Sequence, residues 1–576
     1  MGAVSAIGQN ANVLLDDLVR TSEAVAATSA RRAKIEAIAN LLRRAEPAEV
    51  PVAVAFLAGE LRQRQIGVGY AALRDIAGAS EGSGSGGSGL TLTSVDTAFA
   101  QIGTATGPGS QAERRRLLAA LFSGASDPER SFLTRLLAGD LRQGALEGIM
   151  VEAIAAAAGV QADEVRRAHM LGGSLLAVAT AALALPTQQL SAPQPSTPQP
   201  STAEHGANHL FAQQRSARAL AALRSFRLEV GRPLRPMLAG SADNVGAALA
   251  RVRPAAVEWK IDGIRVQVHK DGTAVTVFTR TLDDITSRVP EVVAAAAAMP
   301  AHRTVLDGEI IALGPDGRPR PFQVTAGRTG NRTDVSRLAT EVPLTAFFFD
   351  LLHLDGADLV DSPGSHRYAR LAETVPVELL IPRIVTSDDA DATLFFRDAL
   401  ARGHEGILVK SLDAPYAAGR RGFGWIKVKP RHTLDLVVIA AEWGHGRRRS
   451  WLSNLHLAAR DPETGGHVML GKTFKGLTDE ILTWQTQRLL ELADPPRSRS
   501  DPAADTGWVV TVRPELVVEI AFDGVQASPR YPGGLALRFA RVLRYRPDKR
   551  AADADTIATI RQIAAASGVS PAPVSA

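Results

Sequence analysis

A short stretch near the middle of the chain alternates apolar and polar residues on either side of one lysine. It runs from Val257 to Val268 as V-E-W-K-I-D-G-I-R-V-Q-V. Such alternation predicts half-buried strands, and Asp-Gly is a turn signal between them. We therefore expect Lys260 at the end of a strand, facing the space that a hairpin encloses. A lysine there is either paired with a carboxylate or, when poorly hydrated beside other cations, a neutral amine that acts as a nucleophile.

Composition limits the kind of protein. A chain of 576 residues predicts roughly three to five domains. The absence of cysteine excludes disulfides, thiol catalysis and zinc sites built on thiolates. A pI near 9.6 with local arginine clusters indicates a polyanionic partner. The longest apolar run, Met170 to Leu185, is too short to span a membrane, and we expect it to be a packed helix. The N-terminus lacks the pattern of a signal peptide. We therefore expect a soluble intracellular protein.

The chain changes character along its length. Residues 1–185 carry apolar residues at helical spacing, as in 13–42, 111–122 and 127–137, and predict an all-α domain. Within them, the tract 81–89 is rich in glycine and serine and predicts a flexible loop. Residues 186–203 predict a proline-rich linker, and residues 204–432 predict a mixed α/β domain. Residues 433–552 predict a largely β domain suited to a compact barrel, and residues 553–576 predict a terminal helix with a tail.

Charged and aromatic residues recur at predicted strand ends in the mixed α/β domain. Glu309 follows an Asp-Gly turn, Glu405 begins a strand, and Phe349 lies at the end of an apolar run. Lys427 and Lys429 alternate in W-I-K-V-K and so face the same side. Two carboxylates for a metal ion, two lysines for phosphates, an aromatic ring for a base and a candidate nucleophile together predict a nucleotide-transfer site.

An ordered set of motifs resembles the ATP-dependent DNA ligases, in particular the bacterial accessory type with a helical DNA-binding domain ahead of the catalytic core. The motifs extend from Glu258 to Lys549, and R-P-M-L-A at 235–239 matches the family's entry to the core. They read K-I-D-G-I-R, F-T-R-T-L-D-D, L-D-G-E-I-I-A, F-F-F-D-L-L-H-L-D-G, E-G-I-L-V-K, W-I-K-V-K and L-R-F-A-R…R-P-D-K. The resemblance implies three domains: a helical DNA-binding domain, an α/β nucleotidyltransferase (adenylation) domain and an OB-fold β-barrel.

The resemblance also implies a reaction. Lys260 would attack the α-phosphate of ATP and form a lysyl-AMP intermediate with loss of pyrophosphate. AMP would pass to the 5′-phosphate at a DNA nick, and the 3′-hydroxyl would then displace it to form a phosphodiester bond. The implied substrate is nicked duplex DNA in repair, replication or recombination. The enzyme would be a monomer that forms a C-shaped clamp on DNA in the bacterial cytoplasm, at the nucleoid, without a membrane partner.

Site residues follow from the same resemblance. Glu258 would read the adenine edge and Phe349 would stack on the base. Glu309 and Glu405 would hold the ribose or a Mg²⁺ ion, with Mn²⁺ as an alternative and Glu405 as the firmer metal ligand. Lys427 and Lys429 would neutralise phosphate charge and help to lower the pKa of Lys260. Three arginines would contact the ribose, the nucleotide phosphates or the nick: Arg265, Arg280 and Arg421.

The last motif lies in the predicted barrel. It is expected to close over ATP, orient the leaving pyrophosphate and rotate away when DNA binds. Its matching residues are Arg538, Arg541, Arg546, Asp548 and Lys549. Residues 447–449, beside Trp451, are either a contact to the DNA backbone or a solvated basic loop. One departure from the family is Gly422, which stands where a serine is common, and it leaves open how Arg421 acts.

Four other functions compete with that of an ATP-dependent DNA ligase. Residues 466–473 match a P-loop literally, but their middle residues predict a strand, and Thr478 is a better helix start than Lys472. The mRNA-capping guanylyltransferases share Lys-x-Asp-Gly but not the long helical region. NAD-dependent ligases normally carry a cysteine zinc module, which a chain without cysteine cannot build. A non-catalytic DNA-binding or end-bridging protein is the rival from a different class, and the intact lysines and carboxylates argue against it.

Overall fold

The computed structural model describes residues 12–573, apart from 64–65, 69–88, 142, 144–146, 185–201, 419–423, 431, 446–447, 496–507 and 567. The predicted loop at 81–89 and the predicted linker at 186–203 lie almost wholly outside the described residues, as do Arg421 and Arg447. The chain divides into two compact units. The first comprises 1–238 with 416–420, and the second comprises 239–415 with 421–576.

The first unit is helical where it is described. Its helices are α1 (Leu15–Ala27), α2 (Arg31–Arg44), α3 (Val50–Ala58), α4 (Leu92–Thr104), α5 (Ser110–Ser123), α6 (Asp127–Leu137), α7 (Glu147–Ala158), α8 (Ala162–Gly172), α9 (Leu175–Leu183) and α10 (Thr202–Arg224). They share one core of buried aliphatic and phenylalanine side chains. The start of α6 shows why helices begin where they do, because Ser126 and Glu129 form a capping box around its first turn.

Helix boundaries in this unit differ from the prediction in two places. The predicted helix 127–137 is confirmed, but 13–42 is broken between α1 and α2, and 170–185 is broken at Gly173. Gly173 has a φ of 69°, the left-handed conformation that ends a helix and that glycine adopts without strain. The unit also extends past the predicted boundary at residue 203, because Ala219 and Leu223 of α10 are buried in the helical core.

The second unit begins with two five-stranded sheets. Sheet I has the order β1-β10-β9-β2-β8 and sheet II the order β4-β3-β5-β6-β7. The strands are β1 (Gly240–Ser241), β2 (Ala255–Lys260), β3 (Ile264–Asp271), β4 (Ala274–Thr279), β5 (Arg303–Ala312), β6 (Leu344–Leu354), β7 (Ala357–Asp358), β8 (Arg383–Thr386), β9 (Gly406–Ser411) and β10 (Trp425–Val428).

Six helices accompany these sheets: α11 (Val245–Leu249), α12 (Pro290–Ala297), α13 (Phe322–Gly330), α14 (Val335–Glu341), α15 (Gly364–Thr374) and α16 (Asp389–Ala401). Side chains of α11 and α16 pack with one face of sheet I, while α12 and α15 pack with sheet II. Each sheet therefore has one apolar face against helices. The other face of sheet I carries the polar residues of alternating strand positions, among them Glu258 and Lys260.

Two predictions about turns in this region are wrong. β2 and β3 do not form a hairpin, because β2 belongs to sheet I and β3 to sheet II, so Asp262-Gly263 carries the chain from one sheet to the other. Gly263 is required there, since a Cβ at this position would lie 2.2 Å from the carbonyl oxygen of Ile310. Asp307-Gly308 is not a turn either but an irregularity inside β5, where a Cβ on Gly308 would clash with the Phe348 ring.

The rest of the second unit is mainly β. Its strands are β11 (His432–Trp443), β12 (Leu452–Arg460), β13 (His467–Thr473), β14 (Val509–Thr511), β15 (Val517–Phe522), β16 (Gly524–Ala527), β17 (Leu535–Arg538) and β18 (Arg541–Tyr545), with helices α17 (Asp479–Glu491) and α18 (Ile557–Ala566). The sheet order is β13-β12-β11-β15-β18 with β14 beside β11, and β16 and β17 form a separate hairpin. These strands and helices enclose one apolar core.

This β region settles the P-loop question. Residues 467–473 form β13, and the next helix, α17, begins after Thr478, whose side chain accepts a hydrogen bond from the Ile481 N–H. Both features agree with the prediction and exclude the strand–loop–helix order of a P-loop. The two edges of the sheet approach each other where Val542 N–H donates to Lys475 O at 3.0 Å. Within the described residues, no helix is long and apolar enough to cross a membrane.

Candidate active site

Lys260 ends β2 and is held by a carboxylate. Its ammonium donates to Glu405 Oε2, and the second oxygen, Oε1, accepts from Lys429. Glu405 directly precedes β9, and Lys429 directly follows β10, so neighbouring strands of sheet I bring the three groups together. The side chains are 13% to 21% exposed, which leaves them accessible to a ligand from one side. Lys260, Glu405 and Lys429 form a charged triad that we call the lysine–glutamate triad.

The pKa of Lys260 is raised, whereas the sequence prediction was that neighbouring lysines lower it. Burial acts to lower this pKa, but Glu405, Glu309 and Asp262 outweigh burial. The prediction is wrong for the ligand-free protein because Glu405 lies between the two lysines and neutralises their mutual repulsion. Burial also acts to raise the pKa of Glu405, yet Lys260 and Lys429 hold it below its usual value. Lys260 is therefore an ammonium before a substrate binds.

Glu309 is the second predicted carboxylate, and its properties differ from those of Glu405. It lies within β5, and its Oε1 accepts from the Gly263 N–H at 3.2 Å. Burial raises the pKa of Glu309 to about 7, against the opposing effects of Lys260 and Arg265. The site therefore contains one carboxylate that is ionised in its ion pairs and one that exchanges its proton near neutral pH.

The pKa of Lys427 is lowered. Burial is the main cause, and repulsion by Lys429 and Lys260 adds to it. No ion pair of Lys427 occurs among the residues described. Lys429, by contrast, contacts Asp523 Oδ2 at 3.2 Å in addition to Glu405. An anionic ligand such as a phosphate would relieve the repulsion among these lysines.

Glu258, Phe349 and Arg265 lie near the triad in buried surroundings. Both oxygens of Glu258 face cations: Oε1 accepts from Arg383 Nε at 2.8 Å, and Oε2 lies 2.6 Å from Lys410 Nζ. Arg265 forms a two-pronged ion pair with buried Asp307, at 3.0 and 2.7 Å.

The ring of Phe349 connects these groups. It meets the Trp425 ring edge to face, with 5.9 Å between centroids. The guanidinium carbon of Arg265 lies 5.5 Å from the centroid of Phe349. Phe349 itself is 6% exposed. The sequence predicted that the strand carrying Phe349 ends at Asp350. In the structure this strand, β6, continues to Leu354.

Arg280 and the last motif are distributed around the site. Arg280 is exposed just after β4. In the hairpin β16–β17, Arg538 donates to Asp262 Oδ2 at 2.7 Å, two residues beyond Lys260. Arg541 is exposed at the start of β18. Arg546 and Lys549 contact Asp435 instead, at 3.0 and 2.5 Å, and Asp548 pairs with Arg546 at 2.6 Å. The structure thus brings Arg538 to Asp262, two residues beyond Lys260, but it places Arg546 and Lys549 on Asp435.

The sequence prediction missed residues that hold the site together. They are Asp262, Asp307, Asp350, Arg367, Arg383, Lys410, Asp435 and Asp523. A usable signal existed for several, because a charge inside an apolar run, as in F-F-F-D-L-L or I-L-V-K, must be paired once the strand is buried. No such signal marks Asp523, an exposed residue that directly follows the buried strand β15. In the basic loop after β11, Arg448 donates to the carbonyl of Phe474 at 2.8 Å.

Comparison with known proteins identifies the family. Three family models match: a DNA ligase N terminus over 75–155, an ATP dependent DNA ligase domain over 236–429, and an ATP dependent DNA ligase C terminal region over 448–549. A probable DNA ligase of Anaeromyxobacter dehalogenans (strain 2CP-1 / ATCC BAA-258) is 55% identical over 550 residues, which are 95% of this chain and 99% of the relative. A probable DNA ligase of Mycobacterium marinum (strain ATCC BAA-535 / M) is 54% identical, with 96% and 100% covered.

A solved structure named Pmar-Lig_Pre is similar in fold. It covers 92% of this chain and 99% of its own, with a TM-score of 0.55 and 15% sequence identity. The identity to the probable DNA ligases is far above the level at which family membership is in question, and it extends over nearly the whole chain. The order of the matched models is also the order of the motifs in the sequence. The chain belongs to the ATP-dependent DNA ligase family.

Proposed function

We propose that this protein seals nicks in duplex DNA with ATP, through a covalent lysyl-AMP intermediate on Lys260. The observation that carries the proposal is the lysine–glutamate triad, in which a lysine at a strand end shares one carboxylate with a second lysine. A triphosphate is the ligand that such a site suits, because its charge would compete with Glu405 for both ammonium groups. Lys427, with its lowered pKa, is the third cation available to the phosphates.

In the first step, Lys260 Nζ attacks the α-phosphorus of ATP. A phosphorus–nitrogen bond forms, the bond to the bridging oxygen breaks, and pyrophosphate leaves. Since Lys260 is an ammonium in the ligand-free protein, it must lose a proton before it can attack. The negative charge of the triphosphate would by itself hold the proton on Lys260 more tightly, so the step needs a proton acceptor. Glu405 Oε2, which accepts a hydrogen bond from the Lys260 ammonium, is the group placed to take that proton.

The next two steps use the same cations on DNA. AMP passes from Lys260 to the 5′-phosphate of the nick, and the 3′-hydroxyl then attacks that phosphate with AMP as the leaving group. Lys427 and Lys429 neutralise the charge that builds up on the phosphate oxygens. We propose that Arg265, Arg280 and Arg421 contact the ribose, the nucleotide phosphates or the nick.

A divalent cation fits the acidic groups present. In the described part of the chain, no cluster of three or more acidic, histidine or cysteine side chains forms a metal site by itself. Mg²⁺ is commonly held by one or two carboxylates together with substrate phosphates, so Glu405 and Glu309 are a suitable donor set. Mg²⁺, or Mn²⁺ in its place, would supply charge neutralisation of the phosphates at this position. Glu405 is the firmer candidate because it is ionised, whereas Glu309 is partly protonated at neutral pH.

The remaining roles follow from the surroundings of each group. We propose that Glu258 reads the adenine edge and that Phe349 stacks on the base, with both held in place by Arg383. The first unit would bind DNA, residues 239–432 would form the adenylation domain, and the β region from 433 would act as an OB-fold. In that region, Arg538, Arg541, Arg546, Asp548 and Lys549 would act on pyrophosphate. The protein would work as a monomer on nicked DNA at the nucleoid in the cytoplasm.

The proposal is tested by covalent labelling. Purified protein is mixed with Mg²⁺ and, separately, α-labelled ATP, α-labelled GTP or adenylate-labelled NAD, and is then resolved under denaturing conditions. We expect acid-labile label from ATP only, loss of that label in Lys260→Ala, and discharge by nicked DNA. We also expect Lys260→Ala to retain at least part of the sealing of a pre-adenylated nick, because the last step does not use the nucleophile.

Each alternative function predicts another pattern in the same experiment. Label from GTP would indicate capping chemistry, and label from NAD would indicate the other ligase class. No label from any nucleotide would leave a non-catalytic DNA-binding protein. Sealing of an unadenylated nick by Lys260→Ala at the wild-type rate would contradict the role of Lys260.

A further inference from the structure

Lys410 is a buried lysine to which the proposed reaction assigns no role. It lies near the end of β9, pairs in register with Ala256 of β2 and Trp425 of β10, and is 0% exposed. Strand alternation places its side chain on the same face of sheet I as Glu258 and Lys260. A lysine in such a position costs stability, because removing an ammonium group from water is unfavourable. Its presence therefore calls for a functional explanation.

The ammonium of Lys410 touches each part of the proposed base pocket. Nζ lies 2.6 Å from Glu258 Oε2 and 4.3 and 4.2 Å from the ring centroids of Phe349 and Trp425. Burial lowers the pKa of Lys410, while Glu258 and Asp350 act to raise it. The lysine thus contacts the carboxylate and both aromatic rings.

The carboxylate of Glu258 is held by a cation at each oxygen. Oε2 lies 2.6 Å from Lys410 Nζ, and Oε1 accepts from Arg383 Nε at 2.8 Å. Arg383 also donates to the carbonyl of Phe349 at 2.9 Å. Because each carboxylate oxygen can accept more than one hydrogen bond, Glu258 can still accept from a ligand that donates one.

An ionised carboxylate recognises only donors. It accepts hydrogen bonds and donates none, whereas a protonated carboxyl group can also donate. Adenine presents an amino group at its 6-position, and guanine and hypoxanthine present an oxygen there. A carboxylate of Glu258 that is held between Arg383 and Lys410 would therefore favour adenine and repel the 6-oxygen of a 6-oxo purine. This argument rests on the proposed function, in which Glu258 faces the base of ATP.

We propose that Lys410 is the positioning residue that makes the nucleotide pocket selective for adenine over 6-oxo purines, by holding the carboxylate of Glu258 as a hydrogen-bond acceptor beside Phe349. Arg383 supports the same carboxylate from the other side. Lys410 does not touch the reacting atoms, and its effect acts through Glu258 alone.

The test compares self-labelling by ATP with that by ITP, which carries a 6-oxo group in place of the amino group. Wild-type protein, Lys410→Met and Lys270→Met are each labelled with α-labelled ATP and ITP in Mg²⁺, and kcat/KM is measured for both. Lys270, on β3, is a matched control because it is also a buried lysine. It is 5% exposed and donates to the carbonyl of Ala297 at 3.0 Å. We expect Lys410→Met to reduce the ATP-to-ITP ratio by about tenfold or more, and Lys270→Met to leave it unchanged.

Separate values of kcat and KM distinguish selectivity from simple loss of structure. Without Lys410, Glu258 loses its partner at 2.6 Å and is no longer held against the base, so KM for ATP should rise while KM for ITP changes little. Arg383 still contacts Glu258 in both proteins. A variant that lost activity through structure alone would lose kcat for ATP and ITP by the same factor.

A second variant covers the case in which Lys410→Met does not fold, as judged by its melting curve. In Glu258→Gln the amide can donate to a 6-oxo group, so the ATP-to-ITP ratio should fall there too. An unchanged ratio in either folded variant overturns the role of Lys410. Absence of any label from ATP in the wild-type protein would overturn the proposed function itself, which is a different result.

Discussion

At the scale of single residues, the site is defined by how each charge is compensated. Lys260 faces Glu405, Glu258 faces Arg383 and Lys410, and these pairs hold the ligand-free protein in a neutralised state. The sequence predicted Lys260, Glu405 and Glu258 as site residues, missed Arg383 and Lys410, and gave the wrong direction for the pKa of Lys260. The reason is geometric, since a carboxylate between two lysines has a larger effect on each than the lysines have on one another.

The ion pair between Asp350 and Arg367 fixes the strand that carries Phe349. Arg367 Nε and Nη2 donate to the two oxygens of Asp350 at 2.8 and 3.0 Å, and both side chains are 0% exposed. Asp350 directly follows Phe349 on β6. Because a buried carboxylate without its partner is strongly unfavourable, this pair is a sensitive point of the fold.

We predict that Arg367→Met destabilises the second unit by about 3–5 kcal/mol, since it leaves Asp350 buried and unpaired. Thermal and denaturant unfolding monitored by circular dichroism would measure the change. Arg370→Met is the control on the same helix, where an exposed pair with Glu373 should contribute no more than about 0.5 kcal/mol. The double variant Asp350→Asn/Arg367→Met should recover part of the loss. Equal free energies of unfolding for Arg367→Met and Arg370→Met would contradict the prediction.

At the scale of elements, two ion pairs join the hairpin β16–β17 to the site. In one the hairpin side contributes the positive charge, and in the other it contributes the negative charge. Arg538 of the hairpin contacts Asp262, and Asp523, which precedes the hairpin, contacts Lys429 at 3.2 Å. Asp523 N–H also donates to the carbonyl of Arg538 at 3.0 Å, so the two charges are held side by side. The hairpin is therefore held against Asp262 and Lys429 in this arrangement, while Arg546 and Lys549 contact Asp435.

We predict that Asp523→Asn slows self-adenylation by about two- to fivefold, the effect expected of one partly exposed ion pair, and leaves sealing of a pre-adenylated nick unchanged. The reason is that the pair with Lys429 can act only while the hairpin lies over the nucleotide. Single-turnover assays of both steps would measure it. Glu515→Gln, which breaks an exposed pair with Arg513 elsewhere on the β region, is the control. A similar loss in both steps would show a general structural role instead.

At the scale of the whole molecule, the proposed division of labour between the two units can be tested by truncation. The helical unit includes α10, whose Ala219 and Leu223 are buried in its core. A chain that begins at residue 204, the predicted boundary, would retain α10 without that core and expose apolar surface. Residue 239 is therefore the better starting point for a truncated protein.

We predict that protein lacking residues 1–238 binds nicked DNA at least about tenfold more weakly, since it loses contacts to the phosphate backbone. Its self-adenylation should change by less than about threefold, because the lysine–glutamate triad belongs to the second unit. Electrophoretic mobility shift with nicked duplex and labelling with ATP would measure the two effects. Equal losses in both assays would contradict the assignment of DNA binding to the first unit. A chain that begins at residue 204 should be less soluble than the full chain and than the chain that begins at residue 239.

Local pattern alone determined a large part of this protein. Helical spacing, capping residues and strand alternation depend on neighbours in the chain, so α6, the start of α17 and the end of β2 at Lys260 could be predicted. The ordered motifs likewise identified the family, because each keeps its residue types at short fixed spacing.

Only the tertiary structure decided how these pieces meet. The chain crosses from sheet I to sheet II at Gly263, Lys410 lies beneath Glu258, and Asp523 reaches Lys429 from 94 residues away. Such contacts depend on which strands pair and on which face each side chain lies, and a sequence pattern with a period of two residues does not specify the partner strand. The protonation state of Lys260 depends on the same long-range contacts, because a pKa responds to charges a few ångströms away in space, wherever they lie in the chain.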